Sequence, residues 1–95
     1  MVKVRTPKGT FDYELSDKKD KKLKVMVNGK YIYFGAPNYE HFFDKTKLLN
    51  PKLNHLDPLR RINYRKRASK IVDKEGNLTV NDINSANYHA YHIFW

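Results

Sequence analysis

The sequence contains no cysteine and only four glycines, which are scattered. The first absence excludes disulfides and thiolate metal sites, and it is typical of proteins kept in a reducing compartment. The second leaves no phosphate-binding loop and no glycine-rich dinucleotide loop, and no nucleophile elbow is present. We therefore expect a protein that is not an enzyme and that carries no cofactor.

Long apolar runs are absent as well. No run approaches the ~18 residues of a membrane span. The start of the chain, MVKVRTPKGTFDYEL, lacks the charged-then-apolar organisation of a secretory signal. These absences predict a soluble protein that is made in the cytosol and has no membrane partner.

Acidic residues are scarce. Ten Asp and Glu stand against 19 Lys and Arg, so the formal net charge is +9. A net charge indicates which partners a protein can bind, but it does not indicate the fold. The candidates are nucleic acid, an anionic membrane surface and an acidic protein face, of which nucleic acid is the commonest for a small basic protein.

The length and the aromatic content fit one small domain. The chain has 95 residues, with seven Tyr, five Phe and one Trp. We predict an N-terminal arm over residues 1 to 20, with a turn at Pro7 and a short strand near Tyr13, and a basic α+β domain over residues 21 to 95. The charged run SDKKDKK, residues 16 to 22, predicts a solvated linker.

The segment KLKVMVNGKYIYFG is the clearest local signal. Asn28-Gly29 is the preferred centre of a two-residue hairpin turn, because both residues tolerate positive φ. The turn predicts pairs from Leu23 with Phe34 to Val27 with Lys30, and paired residues share one side of the ribbon. The predicted core side holds Leu23, Val25, Val27, Ile32 and Phe34. The other side, a Lys-Tyr face, holds Lys22, Lys24, Met26, Tyr31 and Tyr33.

Helix signals follow the hairpin. Asn38 is a candidate cap for a short helix through Phe42 and Phe43. Asp57-Pro58 is a stronger start, with a capping carboxylate before proline, and predicts a helix from residue 58 to about 72. Residues 78 to 80 favour a short strand, and Ser85 is a candidate cap for the last segment. The aromatic end of the chain should dock into the core or a partner. The expected core or interface anchors are Phe34, Phe42, Phe43, Phe94 and Trp95.

The predicted helix after Asp57 carries six cations and no acid between Arg60 and Lys70. Such runs are usually solvated, but like charges at i, i+4 spacing repel one another, which favours a polyanionic partner here. The Lys-Tyr face of the hairpin is a weaker signal, since its rings can stack on bases or form a second packing layer. The candidate binding residues are Arg60, Arg61, Tyr64, Arg65, Lys66, Arg67 and Lys70, with Lys22, Lys24, Tyr31 and Tyr33 as a second contact.

The four histidines raise the question of a metal site. His89 and His92 are three residues apart, and His41 and His55 lie elsewhere with nearby Asp residues. This spacing is common by chance, so we expect half-buried or hydrogen-bonded histidines and no metal. A small metal-dependent nuclease built from His55, Asp57 and Asn63 is kept as a third hypothesis.

Four segments together form a more specific pattern: the basic hairpin, IYFGAPNYEHFFDKTKLL, NHLDPLRRINYRKR and SANYHAYHIFW. Its marks are Phe34-Gly35, Tyr39-Glu40 before Asp44-Lys45-Thr46, the run His55-x-Asp57-x-x-Arg60-Arg61-x-x-Tyr64-x-x-Arg67, and the aromatic end at Trp95. With these marks, residues 21 to 95 resemble small basic proteins of unknown function encoded by large DNA viruses and tailed phages. Ala68 departs from the resemblance, because relatives tend to place a histidine there.

The resemblance implies a viral setting, in the virion and in the host cytoplasm during infection. We expect a non-enzymatic virion-associated protein, a minor capsid or internal component, whose basic surface binds nucleic acid or acidic capsid proteins. DNA is favoured over RNA, and assembly with other chains is expected. The alternative is a free nucleic-acid-binding regulator that acts on the host or viral genome. The fold expected for either is α+β, a β-hairpin packed on two or three short helices.

Overall fold

A four-stranded antiparallel sheet and two α-helices make up the protein in the computed structural model, which describes residues 1 to 95. The strands follow one another in the order β1-β2-β3-β4. They are β1 (Val2–Thr6), β2 (Gly9–Leu15), β3 (Leu23–Val27) and β4 (Lys30–Phe34), and the helices are α1 (Pro58–Ala68) and α2 (Ala86–Phe94). Short 3₁₀ turns occur at Pro51–Leu53 and Thr79–Asn81. The predicted α+β class is confirmed.

The hairpin of β3 and β4 has the predicted register. All five predicted pairs are present, from Leu23 opposite Phe34 to Val27 opposite Lys30. Asn28 and Gly29 adopt φ of 50° and 81°, the left-handed conformations that the two-residue turn requires. Four side chains of the predicted core side are buried, and Ile32 is half-buried against the same core.

Residues 1 to 20 differ from the predicted arm, because they form two strands of the same sheet. Thr6 pairs with Gly9 across the Pro7-Lys8 turn, and β2 pairs with β3 from Tyr13 opposite Val25. The Tyr13 side chain is fully buried in the central core. The pairing satisfies the backbone groups on the free edge of β3, which a two-stranded ribbon would leave open. The charged run is the connection between β2 and β3.

The last segment docks into the core as α2. The Ser85 side chain accepts a hydrogen bond from the Asn87 N–H and caps the helix, as predicted. Ile93 and Phe94 are buried against the sheet, while Trp95 is half-buried. The helix is also tied to the first hairpin, where the Tyr88 hydroxyl hydrogen-bonds Thr6 Oγ1 at 2.7 Å.

Helix α1 begins as predicted and ends earlier. The Asp57 carboxylate accepts from the Leu59 and Arg60 N–H groups, and Pro58 occupies the first helical position. The helix ends at Ala68 because the following residues pair elsewhere: Val72 forms a bridge with Leu78, and Thr79 donates its N–H to the Ile71 carbonyl. The strand predicted at residues 78 to 80 is limited to this bridge. Helix α1 packs on α2.

The short helix predicted from Asn38 through Phe43 is wrong. The segment forms a turn at residues 37 and 38 and no helix, because its backbone groups pair with other segments: His41 donates its N–H to the Leu53 carbonyl. Phe43 and Lys45 donate their N–H groups to the carbonyls of Phe94 and Ile93. The segment therefore satisfies the last carbonyls of α2, which have no partner within their own helix.

The two α-helices have eleven and nine residues. Neither has the length and apolar content that a membrane-crossing helix needs.

Candidate polyanion-binding site

Helix α1 presents three different faces, as the 3.6-residue period dictates. The face packed on α2 holds Arg61, Tyr64, Arg65 and Ala68. The adjacent face, which lines a cleft, holds Arg60, Asn63, Tyr64 and Arg67. The outer face holds Leu59, Ile62 and Lys66, all exposed. The six predicted cations are therefore divided among different environments.

Two of the predicted binding residues hold α2 in place. Arg61 Nε donates to the Trp95 carbonyl oxygen at 2.7 Å, and its guanidinium lies 5.1 Å from the Phe42 ring centroid. The guanidinium of Arg65 lies 4.5 Å from the Tyr91 ring centroid. A cation is favourable beside a helix C-terminus and over an aromatic face. Arg61 and Arg65 thus have a structural explanation that needs no partner molecule.

The remaining cations of the segment lack such contacts. Arg60 pairs with Glu40 at 3.0 Å, whereas Lys66, Arg67 and Lys70 are exposed and have no carboxylate within ion-pair distance. The whole chain contains only two ion pairs for its 19 Lys and Arg. The positive charge around α1 is therefore almost uncompensated.

Neighbouring groups respond to this charge. Burial and the guanidinium groups of Arg65 and Arg61 lower the pKa of Lys45. Burial lowers the pKa of His92, and Lys45 and Arg65 lower it further. Both shifts have the direction expected where positive charges meet without enough carboxylates.

A cleft of about 600 Å³ lies beside α1. Its walls come from α1, from the loop after β4 and from the end of α2. The lining residues are Lys22, Gly35, Ala36, Tyr39, Glu40, His41, Arg60, Asn63, Tyr64, Arg67, Ala90, Phe94 and Trp95. The cleft thus brings three cations to one concave surface with a single carboxylate.

Lys22 lines the cleft. The prediction that its side chain belongs to the exposed Lys-Tyr face of the hairpin is therefore wrong. Its side chain is 7% exposed, and Nζ donates to the Tyr39 carbonyl and to His41 Nδ1, the latter at 3.0 Å. Nζ also lies 5.1 Å from the Phe94 ring centroid. Lys22 precedes β3, so the alternation of that strand does not determine its direction.

Gly35 leaves room for the side chain of Lys22 to turn inward. Its φ is 83°, and a Cβ at this position would lie 2.9 Å from Phe94 Cε2 and 3.2 Å from Lys22 Cβ. A side chain at residue 35 would therefore press on both the lysine stem and the aromatic ring.

Burial lowers the pKa of Lys22 to about 8, and the Asp44 carboxylate opposes the shift. Asp44 is itself buried and accepts hydrogen bonds from Thr46 and Leu49. Burial, followed by the charge of Lys22, lowers the pKa of His41 to about 4. Nδ1 of His41 accepts the hydrogen bond from Lys22, so the imidazole proton is on Nε2. Nε2 has no partner within hydrogen-bond geometry. The Asn54 side chain raises the pKa of His41 and so opposes part of the shift.

Stacked aromatic rings form the apolar part of the cleft. Tyr64 and Trp95 stack with centroids 4.2 Å apart and planes 10° apart. His41 and Phe94 stack at 4.5 Å and 10°. These two stacked ring pairs together form the apolar wall of the cleft.

The Lys-Tyr face of the hairpin is paired within the chain. Lys24 lies over the Tyr31 ring at 4.3 Å, and Lys18 lies over Tyr33 at 4.1 Å. The Tyr33 hydroxyl donates to Asp17 at 2.9 Å. These contacts favour the interpretation as a second packing layer, since a base would have to displace a lysine from each ring.

The histidines do not gather at one point. No group of three or more His, Asp or Glu side chains is arranged to hold a metal ion. His89 Nδ1 accepts from the Tyr13 hydroxyl, and Nε2 donates to the Ile83 carbonyl at 2.7 Å. His55 Nδ1 accepts from the Asp57 N–H, while the Asp57 carboxylate caps α1. His55 and Asp57 of the nuclease hypothesis thus serve the start of α1, whereas its third residue, Asn63, lies in the lining of the cleft.

The predicted anchors have different surroundings. Phe34 and Phe94 are in the core, whereas Phe42 and Trp95 are half-buried beside α1. Phe43 is 37% exposed and is not a core residue of this chain.

The cleft is not predicted by any local pattern of the sequence, because its walls come from segments far apart in the chain. Asn63 enters the sequence analysis only through the nuclease hypothesis and Glu40 only through the resemblance, so neither residue predicts this cleft. The one local sign was Gly35 directly after the strand. No protein-family model, curated protein or solved structure matches the chain.

Proposed function

We propose that the protein is a non-enzymatic component of a virion, minor capsid or internal, that binds a polyanion through the cleft side of α1 and the cations beyond it. Nucleic acid is the favoured polyanion, and an acidic neighbouring protein is the other. The observation that supports this most directly is the set of exposed cations around α1, of which only Arg60 has an ion-pair partner, Glu40.

The exposed cations at the end of α1 lie close together in the chain. Lys66, Arg67 and Lys70 lie within five positions and are exposed without an ion-pair partner, so their positive charges repel one another. Phosphates that approach this surface relieve the repulsion and release condensed counterions. With Arg60 as a fourth cation, binding to duplex DNA should show a slope of log affinity against log salt of about −3 to −4.

A salt titration of DNA binding tests the polyanion part of the proposal. Arg67→Ala should reduce the size of the slope by about one, because one phosphate contact is lost. Lys30→Ala, an exposed cation at the hairpin turn with no acidic partner, is the matched control and should leave the slope unchanged. A nearly flat salt dependence in the wild-type protein would contradict the proposal.

The virion part rests on the sequence resemblance and needs its own test. Mass spectrometry of purified particles should find the chain in amounts typical of a structural component. Its absence from particles, together with retained DNA binding, would favour the free regulator.

A further inference from the structure

The cleft beside α1 has the size and lining of a small-molecule site. Its volume of about 600 Å³ lies within the ~300–1,000 Å³ range of ligand pockets. That volume is more than a single phosphate group fills, and much of the wall is aromatic. An occupant therefore has an apolar, ring-sized part in addition to any charge.

The charges of the residues that line the cleft indicate that its occupant is an anion. Lys22, Arg60 and Arg67 line the cleft, with Glu40 as the one carboxylate among the lining residues. Arg60 already pairs with Glu40, which leaves Lys22 and Arg67 without a counter-ion. Guanidinium and ammonium groups together suit a phosphate, whose oxygens accept several charge-assisted hydrogen bonds.

Lys22 provides the strongest single argument. An ammonium group has three N–H donors, and only two acceptors lie within hydrogen-bond distance, the Tyr39 carbonyl and His41 Nδ1. The side chain is more than nine-tenths buried, and no carboxylate is within ion-pair distance. A buried, unpaired charge is costly, and an apolar residue of similar length would avoid that cost. Burial lowers the pKa of Lys22 to about 8, and the Asp44 carboxylate, which lies beyond ion-pair distance, only partly opposes the shift.

The aromatic wall indicates what accompanies the phosphate. Tyr64 and Trp95 border the same cleft as Lys22 and Arg67, and the amide of Asn63 adds an uncharged hydrogen-bonding group to the lining. Aromatic side chains and one amide are the groups with which proteins hold an unpaired base.

We propose that the cleft binds one nucleotide of a single-stranded nucleic acid. Lys22 and Arg67 hold the phosphate, and the base lies against the wall formed by Tyr64 and Trp95. This inference rests on the proposed polyanion binding and adds to it a preference for unpaired strands, because a base within a duplex cannot enter the cleft.

The experiment uses Trp95 as its reporter, since it is the only tryptophan and lies in the cleft wall. Oligodeoxythymidine is titrated into the full chain, with tryptophan emission and the anisotropy of a labelled strand read in parallel. The expected result is a saturable change in Trp95 emission that follows the anisotropy and is absent with a blunt duplex. Thymidine monophosphate should compete for the site more effectively than inorganic phosphate.

Two variants test the assignment of residues. Lys22→Met should weaken single-strand binding about tenfold or more, because a charged hydrogen bond is lost in a buried site. Arg67→Ala, an exposed change that leaves the core intact, should weaken it by a similar factor. Lys66→Ala on the outer face of α1 removes the same charge outside the cleft and should cause a much smaller loss.

The outcomes separate the two proposals. Strand binding by anisotropy with unchanged Trp95 emission, or equal losses in the Lys22, Arg67 and Lys66 variants, overturns the cleft and leaves polyanion binding intact. Equal competition by inorganic phosphate or by polyglutamate likewise overturns a nucleotide site. Failure of every strand and duplex to bind removes the proposed function together with the inference.

Discussion

Helices α1 and α2 are similar in length and opposite in character. Four of the nine residues of α2 are buried, whereas α1 buries Ala68 alone among eleven. Helix α2 is stabilised by the core against which it lies. Helix α1 depends on its Asp57 cap and on the contacts of Arg61 and Arg65 with the end of the chain. The difference leaves the cations of α1 exposed for the proposed binding, while α2 maintains the fold.

The most direct test of this comparison is a large-to-small change in each helix. Phe94→Ala should lower the free energy of unfolding by about 3–5 kcal/mol, because the ring is buried and packs on Phe34 and His41. Leu59→Ala in α1 should change it by less than about 0.5 kcal/mol, since that side chain is 65% exposed. Urea unfolding measures both, and comparable losses in the two variants would contradict the assigned roles.

A glycine pair tests the close packing of Gly35 against the end of α2 and Lys22. Gly35→Ala should cost about 2–4 kcal/mol, from a strained positive φ and from crowding against Phe94 and Lys22. Gly76→Ala has nearly the same φ, 85°, and no atom within 4 Å, so it should cost only about 1 kcal/mol. The difference between the two unfolding free energies isolates the crowding. Equal values would mean that the lysine stem and the ring move aside freely.

Protonation of His41, on the α2 side of the cleft, should destabilise the folded protein in acid. The pKa of His41 is about 4 in the folded protein, whereas its ordinary value is 6.5. Between these values the unfolded chain binds a proton that the folded protein does not. The free energy of unfolding therefore falls as the pH falls from about 6.5 to 4, by on the order of 3 kcal/mol in total.

His41→Gln is the comparison variant for this acid effect. Lys22 and His55 favour neutral His41, while Asp44 and Asn54 oppose them, and these neighbours are present in both proteins. The difference in urea unfolding between wild type and variant should shrink toward pH 4. Parallel pH profiles would show that His41 does not titrate as a buried group.

The smallest expected effect concerns Lys22 and its pKa of about 8. If the protonated amine holds the phosphate, affinity for oligodeoxythymidine should fall about tenfold between pH 7 and pH 9. The facing His41 imidazole does not titrate in this window, because its pKa is about 4. Lys22→Met should lack this dependence in the same fluorescence titration, and an identical profile in the variant would contradict the role of Lys22.

Local signals predicted local structure well. The Asn28-Gly29 turn predicted all five pairs of the β3–β4 hairpin, and the capping residues Asp57 and Ser85 begin their helices as expected. The cap predicted at Asn38 failed because its segment pairs with the end of α2 and with Leu53, which lie far away in the sequence. Propensity is a weak guide where distant backbone partners compete.

The amino-acid sequence by itself determined the excess of positive charge, the hairpin and the starts of both helices, since each depends on residue type or on neighbours a few positions apart. The tertiary structure alone decided that residues 1 to 15 extend the sheet and that Lys22 turns inward beside Gly35. It also decided that Arg61 and Arg65 hold α2 while Arg67 stays exposed. These outcomes depend on which distant surfaces become buried together, and no local pattern records that choice.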